Sequence, residues 1–266
     1  MENLLFSFSA LVALVPASLQ GLRRNPARDL AFWAVLVVAV AGPAAWVLAN
    51  MAVTWNTGLG AALWVTIAAT MALFAIIAAA HRHAWRLTVL LAPYMLLLGL
   101  LALIWQQVPG RTLDTGAEAG AWFAIHIAVS VVTYALVTIA AMAALAAVLQ
   151  QRALKRKRPS GLSRALPSVA DCEGLVRRLL IQGEVVLAAG LLTGMAIHHN
   201  ETGSLIGFDH KTILVIAAFV VIGAMLAAYY ISGVRGRAAA QMVLIAYLLL
   251  TLGYPGVKFV TDVLIG

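Results

Sequence analysis

The sequence predicts an all-α, polytopic membrane protein, a helix bundle with about eight transmembrane helices. Of its 266 residues, 63% are hydrophobic and only 11% are charged, which is far from the composition of a soluble domain. Apolar runs long enough to cross a bilayer recur along the chain, and short polar or basic clusters separate them. At roughly 20 residues per span these runs use the whole length, so we expect one integral membrane domain over residues 1–266.

The apolar runs define the spans in order. The first run, from Leu4 to Gln20, lacks the basic segment that begins a signal peptide, so it is interpreted as a span. The predicted spans are residues 4–20, 30–50, 58–80, 86–105, 122–151, 179–198, 211–232 and 238–262. Residues 152–178 are predicted to form a basic loop, in which 166–179 fold as a short amphipathic helix at the membrane interface.

The distribution of basic residues predicts the orientation. Alternate connections hold 15 of the 18 Lys and Arg residues, and the other side keeps only Arg111, Lys211 and Lys258. By the positive-inside rule, the basic loops face the cytoplasm and both termini face the outer side of the membrane. Topology therefore explains the net charge of +8, so we expect contact with membrane lipid and none with nucleic acid.

The sequence lacks the residues that several classes of function require. The single cysteine, Cys172, excludes an internal disulfide and any multi-cysteine metal motif. The sequence contains no glycine-rich phosphate loop, no Ser–His–Asp order and no zinc motif, so no catalytic activity is predicted.

The six histidines fall into two groups. His81 and His83 lie in a short basic turn at the predicted cytoplasmic surface, and we assign them no function. The other four lie at the outer ends of the fifth, sixth and seventh spans: His126, His198, His199 and His210. Imidazoles converging on one side of so apolar a chain indicate a shared site.

His126 begins a polar stripe on the fifth span. Helical spacing puts five side chains on one face of this helix: His126, Ser130, Thr133, Tyr134 and Val137. Trp122 lies on the same side, one turn before His126. An imidazole in an apolar interior is neutral, and the neutral form ligates metals. It can equally hydrogen-bond across helices, and the residues alone do not choose between these roles. Two histidines from separate helices, such as His126 and His210, are a common way to hold a haem iron.

The segments "IHIAVSVVTYAL", "QGEVVLAAGLLTGMA" and "RGRAAAQMVLIAYLLLTLGYPGVKFV" together resemble the cytochrome c assembly protein family, the CcsA/CcmC group. The segment "IHIAVSVVTYAL" is similar to the family's helix with an outward-facing haem-ligand histidine. The segments "QGEVVLAAGLLTGMA" and "RGRAAAQMVLIAYLLLTLGYPGVKFV" resemble its next helix and its last span, and the resemblance covers roughly residues 60–266.

The chain departs from that family's haem-handling synthases in its outer loops. Their tryptophan-rich segment, which ends in Trp-Asp-Pro, is replaced here by "NETGSLIGFDHK", and their second outer histidine is missing. A histidine directly after the aspartate, as His210 follows Asp209, is similar to the HemX/YpjD-type branch. Without the tryptophan-rich segment, cytochrome c synthase activity is not expected.

The resemblance implies one b-type haem per chain near the outer face, with His126 and His210 as axial ligands of the iron. It further implies that Trp122 and Phe208 pack near the macrocycle and that Lys211 contacts a propionate. His198 or His199 then serves as a propionate partner or a substitute ligand. Haem delivery, haem sensing and one-electron transfer all remain open, as do partners among cytochrome c biogenesis or respiratory proteins.

Two alternatives do not involve haem. The missing tryptophan-rich segment and second histidine also suit an accessory or scaffold subunit of a larger membrane complex. A transporter that uses the outer histidines is disfavoured, because the intramembrane acid Glu184 lies at the opposite end of its span. We expect Glu184 to pair with Arg177 or Arg178.

Overall fold

The computed structural model describes residues 2–22, 27–51, 58–106, 120–157, 160–204, 207 and 209–261. This part of the chain is helical and contains no strand. Its α-helices are α1 (Glu2–Ser18), α2 (Leu30–Met51), α3 (Leu59–Ala80), α4 (Thr88–Ile104), α5 (Gly120–Lys155), α6 (Gly161–Ala165), α7 (Val169–Thr202), α8 (His210–Ser232), α9 (Arg237–Thr251) and α10 (Val257–Phe259). Within the described residues, eight segments are long and apolar enough to cross a membrane, which confirms the predicted all-α, eight-span fold.

The structure extends two helices into the stretch predicted as a basic loop. α5 continues to Lys155, and α7 begins at Val169, ten residues before the predicted span at 179. Ser168 starts α7 because its hydroxyl accepts a hydrogen bond from the backbone N–H of Asp171 at 3.2 Å. With 34 residues, α7 is about 50 Å long, whereas the hydrocarbon core of a bilayer is about 30 Å thick. The predicted amphipathic helix is therefore the protruding first part of α7.

The helices pack as two groups that meet at α5. In the first group, α1 and α3 each contact both α2 and α4. The rings of Trp46 on α2 and Trp64 on α3 stack in this group, with centroids 5.5 Å apart. In the second group α5 packs along α7 and α9, while α8 lies against α7 and α9. The alanines between 140 and 147 are buried, and such small side chains let helices approach closely.

The two ends of the bundle differ in chemistry. The end that carries the turn at residues 81–87, the C-terminus of α5 and the N-terminus of α7 is called the basic end below. The opposite end, which carries His126, His198 and Lys211, is called the histidine end.

The last span contains a π-helical turn at Leu252–Gly256, between α9 and α10. Pro255 lies in this turn and has no backbone N–H to donate to an α-helical hydrogen bond. Gly253 in the same turn lies close to α8, since a Cβ there would be 3.2 Å from Cβ of Leu214. The π turn thus brings the backbone of the last span against α8 near the histidine end, and π turns are frequent at functional sites.

Candidate functional site

A cavity of about 390 Å³ opens at the histidine end among α5, α7, α8 and the π turn. Its size falls within the range of about 300–1,000 Å³ that is typical of small-molecule and cofactor sites. Much of the wall is apolar: Phe123, Leu187, Leu191, Met195, Ile197, Val215, Ile216 and Leu250. Nine polar side chains also line it: His126, Ser130, Thr133, Tyr134, His198, Asp209, Lys211, Thr212 and Tyr254.

The polar stripe of α5 faces this interior, as its spacing predicts. Ser130 and Thr133 line the cavity, but their hydroxyls donate to backbone carbonyls one turn earlier, at His126 (2.7 Å) and Val129 (2.9 Å). Those hydroxyl protons are therefore used within α5. His126, in contrast, points its ring at α7.

The protonation of the His126 ring follows from its hydrogen bonds. Its Nδ1 lies 3.0 Å from the hydroxyl of Thr193 on α7. That hydroxyl donates its single proton to the carbonyl of Gly190 at 3.0 Å, so it can only accept from His126. Nδ1 therefore carries the ring proton, and Nε2 keeps a free lone pair. This arrangement, with one nitrogen anchored and the other free, is the one found in metal-ligating histidines.

Gly194 provides the space for the His126 ring. A Cβ at Gly194 would lie 3.1 Å from Cε1 of His126, closer than most side-chain contacts. At Gly190, one helical turn earlier, a Cβ would lie 3.4 Å from Cγ1 of Val129, which is ordinary van der Waals contact. The Gly190–Gly194 pair therefore allows close packing of α5 and α7, and Gly194 also leaves the space that the imidazole occupies.

Charged and polar groups gather at the mouth of the cavity. Nε2 of His198 lies 3.1 Å from the hydroxyl of Ser204, and a Cβ at Gly207 would come within 3.0 Å of the same nitrogen. Lys211, in the first turn of α8, lines the same mouth. Two cationic or ionisable side chains thus face the opening beside an apolar interior.

Asp209 is the acid at this mouth. Partial burial alone would raise its pKa, but hydrogen bonds from Thr212 and the charges of Lys211 and His198 outweigh burial and lower the pKa below its ordinary value. Its carboxylate accepts from the backbone N–H of Thr212 at 2.6 Å and caps the N-terminus of α8. Asp209 is therefore ionised at neutral pH and holds the helix that presents Lys211.

A cluster of tyrosines underlies the cavity. The hydroxyl of Tyr134, in the cavity wall, lies 3.1 Å from that of Thr251 and 3.2 Å from that of Tyr247. Thr251 donates to the carbonyl of Tyr247 at 2.8 Å, and the hydroxyls of Tyr247 and Tyr94 also contact each other. Hydrogen bonds thus tie α4, α5 and α9 together beneath the site.

Comparison with known proteins identifies the family. A family model described as "Cytochrome C assembly protein" matches residues 29–265, a range that includes all elements of the cavity. The chain belongs to the cytochrome c assembly protein family. This confirms the resemblance carried by the motifs, and the eight candidate spans agree with a multi-pass membrane protein.

One relative is similar along its whole length. It is a protein of Azospirillum brasilense described as "Uncharacterized 28.8 kDa protein in nifR3-like 5'region", 54% identical over 270 residues. The similarity covers 100% of the present chain and 99% of the relative. The similarity therefore extends over every helix of the present chain.

The cavity of this family member gathers some of the residues predicted from the sequence and leaves others apart. His126, His198 and Lys211 line it. Trp122 is 56% exposed, and it does not line the cavity; neither do the exposed His199 and His210. Phe208 lies outside the described residues.

The sequence did not single out Thr193, Gly194 or Tyr254 as part of the site. The spacing of Gly190 and Gly194 was visible, but it indicated close helix packing alone. The role of these residues depends on the register of α7 against α5, which periodicity within one helix does not reveal.

The expected pairing of Glu184 with Arg177 or Arg178 is not found. Arg177 donates to the hydroxyl of Tyr229 at 3.3 Å, and Arg178 lies against His81. Oε2 of Glu184 is buried and has no hydrogen-bond partner among the described residues. The arginines extend toward the basic end, and this leaves Glu184 between α7 and α8.

Proposed function

We propose that this member of the cytochrome c assembly family is a haem-handling protein that holds one b-type haem in the cavity at the histidine end. His126 is the first axial ligand in this proposal. The observation that carries it is the 3.0 Å contact between Nδ1 of His126 and Thr193, whose hydroxyl proton goes to Gly190, because this contact assigns the ring proton to Nδ1 and leaves Nε2 to bind iron. An imidazole that only bridged two helices would not need a cavity beside it.

The other groups of the cavity suit the parts of a haem. The apolar walls match the macrocycle, whose burial favours binding, and Lys211 and His198 at the mouth suit the two propionates. Bound haem would supply one-electron chemistry or be the cargo itself. The residues of the chain would bind it, orient it and exclude water from it.

Two histidines compete for the second axial position. The resemblance favours His210, which is exposed at the first position of α8 and would have to turn inward. The cavity favours His198, although its Nε2 contacts Ser204, so it would ligate through Nδ1 or release the serine. Both interpretations keep His126 as the first ligand.

Absorption spectra of the purified protein test the proposal and separate these ligands. We expect a sharp Soret band, with resolved α and β bands after reduction by dithionite, because two imidazoles give six-coordinate, low-spin iron. Alanine at the true second ligand, His198 or His210, should change this to a five-coordinate, high-spin spectrum. The exposed His199→Ala variant is the control and should keep the wild-type spectrum. A chain with no such bands after haem is supplied would instead support a haem-free accessory subunit.

The contact between Gly194 and the imidazole gives a second prediction. Gly194→Ala places a methyl group against Cε1 of His126, so the ring must move by a few tenths of an ångström. We expect haem affinity to fall several-fold, measured by titrating the haem-free protein and following the Soret band. Gly190→Ala is the matched control on the same helix and should leave the affinity unchanged. Equal effects of the two variants would contradict a positioning role for Gly194.

We also propose that the histidine end faces the periplasm of a bacterial inner membrane and that both termini lie on that side. The support is the concentration of Lys and Arg in the connections at the basic end. Alkaline phosphatase fused to the C-terminus should therefore be active, and a fusion in the basic segment near residue 160 should be inactive. The reverse pattern would contradict this orientation. Partners among cytochrome c biogenesis or respiratory proteins would then approach from the periplasm or within the membrane.

A further inference from the structure

A second cavity, of about 350 Å³, lies at the basic end and is far from the haem site along the helices. It opens between the turn at residues 81–87, which joins α3 to α4, and the first turns of α7. Four basic side chains line it: His81, Arg82, His83 and Arg178. Nothing in the proposed haem site uses these residues.

Two of the bases face each other directly. Nη1 of Arg178 lies 3.3 Å from Nδ1 of His81, so the guanidinium donates and the imidazole accepts. The proton of His81 is then on Nε2, which remains a donor. A permanent cation beside an imidazole, with a second arginine in the same wall, is an arrangement that attracts an anion.

No carboxylate among the described residues pairs directly with these arginines. Among the described residues, neither Arg82 nor Arg178 forms an ion pair, and Arg82 is exposed. Asp171 is the acid in the wall of the cavity, but its Oδ2 accepts a hydrogen bond from Ser168 at 2.6 Å as part of the cap of α7. The basic groups therefore have donors left over for an oxyanion.

The cavity lies at the level where lipid headgroups are found. The spans on either side of the turn end at Ala80 and resume at Ala84, so His81, Arg82 and His83 lie at the membrane surface. α7 is longer than the hydrocarbon core, and its first turns extend beyond it. Basic pockets between helices at this level bind anionic headgroups.

We propose that this cavity binds a phosphate-bearing anion, either the headgroup of an anionic phospholipid or free phosphate. Arg82 and Arg178 are the charged donors, and Nε2–H of His81 is the third. The open backbone at Gly174, where a Cβ would meet nothing within 4 Å, leaves space for the ligand on the side of α7. This site is independent of the haem proposal.

Thermal unfolding of the full-length protein in a neutral detergent tests the inference and separates the two sources of phosphate. One arm adds phosphatidylglycerol to the micelles and compares it with the same amount of phosphatidylcholine. The other adds inorganic phosphate and compares it with chloride at equal ionic strength. A higher unfolding midpoint with phosphatidylglycerol alone assigns the lipid headgroup, and a higher midpoint with phosphate assigns the free anion.

Variants link that effect to the cavity. Arg82→Gln removes an exposed side chain that has no ion-pair partner among the described residues, so the fold should be retained. The apparent affinity for the anion should fall about tenfold, the usual effect of losing one charge-assisted hydrogen bond. Arg178→Gln should act in the same direction. Arg156→Gln, an exposed arginine of the basic end that does not line the cavity, is the control and should bind as the wild type does. The inference is overturned if neither anion raises the midpoint, or if Arg82→Gln and Arg156→Gln respond equally.

Discussion

Replacing His126 with alanine is expected to abolish the proposed haem binding. The variant loses the imidazole that lines the cavity, and α5 has no other histidine to replace it. Loss of a partner that merely orients a ligating histidine already costs about 10- to 100-fold in affinity, so loss of the ligand itself should exceed about 100-fold. Titration of the haem-free protein, followed at the Soret band, measures the change.

The control for this variant is His199→Ala, which removes an exposed imidazole of α7 and should bind haem as the wild type does. Helicity and the midpoint of thermal unfolding, measured without haem, show whether His126→Ala is folded. A folded His126→Ala protein that binds haem with wild-type affinity would mean that His126 serves only in helix packing.

Thr193→Val is expected to weaken haem binding by about 10- to 100-fold, although Thr193 need not touch the haem. Valine keeps the shape of threonine but removes the oxygen that accepts from Nδ1 of His126 at 3.0 Å. The imidazole then loses the partner that fixes both its orientation and its tautomer. The variant should therefore bind haem more weakly and give broadened spectral bands from mixed orientations of the ring.

Thr193→Ser is the matched variant, because it keeps the hydroxyl and removes only a methyl group. Its haem affinity should lie near that of the wild type. If Thr193→Ser and Thr193→Val weakened binding equally, packing of the methyl group would account for the effect, and the hydrogen bond to Nδ1 would not.

The membrane architecture could be predicted from the sequence because burial in lipid requires long apolar helices, and their length and number are visible in composition alone. The boundaries were less predictable where a span continues into a polar helix. α7 begins at Val169 since Ser168 caps it, and its exposed charged residues hide this continuity from a measure of hydrophobicity.

The site could be predicted in part. Spacing along α5 identified the face that carries His126, Ser130 and Thr133, and the structure places these three residues in the cavity wall. Contacts between helices could not be predicted, because the alignment of Thr193 and Gly194 with His126 depends on the register of α7 against α5. For the same reason the sequence, which assigned both His198 and His210 to the site, did not reveal that only His198 of the two lines the cavity.

The central claim is that the imidazole of His126 binds haem iron, and rescue of a His126→Gly variant by free imidazole tests it most directly. Glycine leaves a space for the missing ring at the position that faces the cavity. The account predicts that this variant binds haem poorly and that added imidazole restores the low-spin spectrum of the wild type. A His126→Gly protein with the wild-type spectrum in the absence of imidazole would contradict the account.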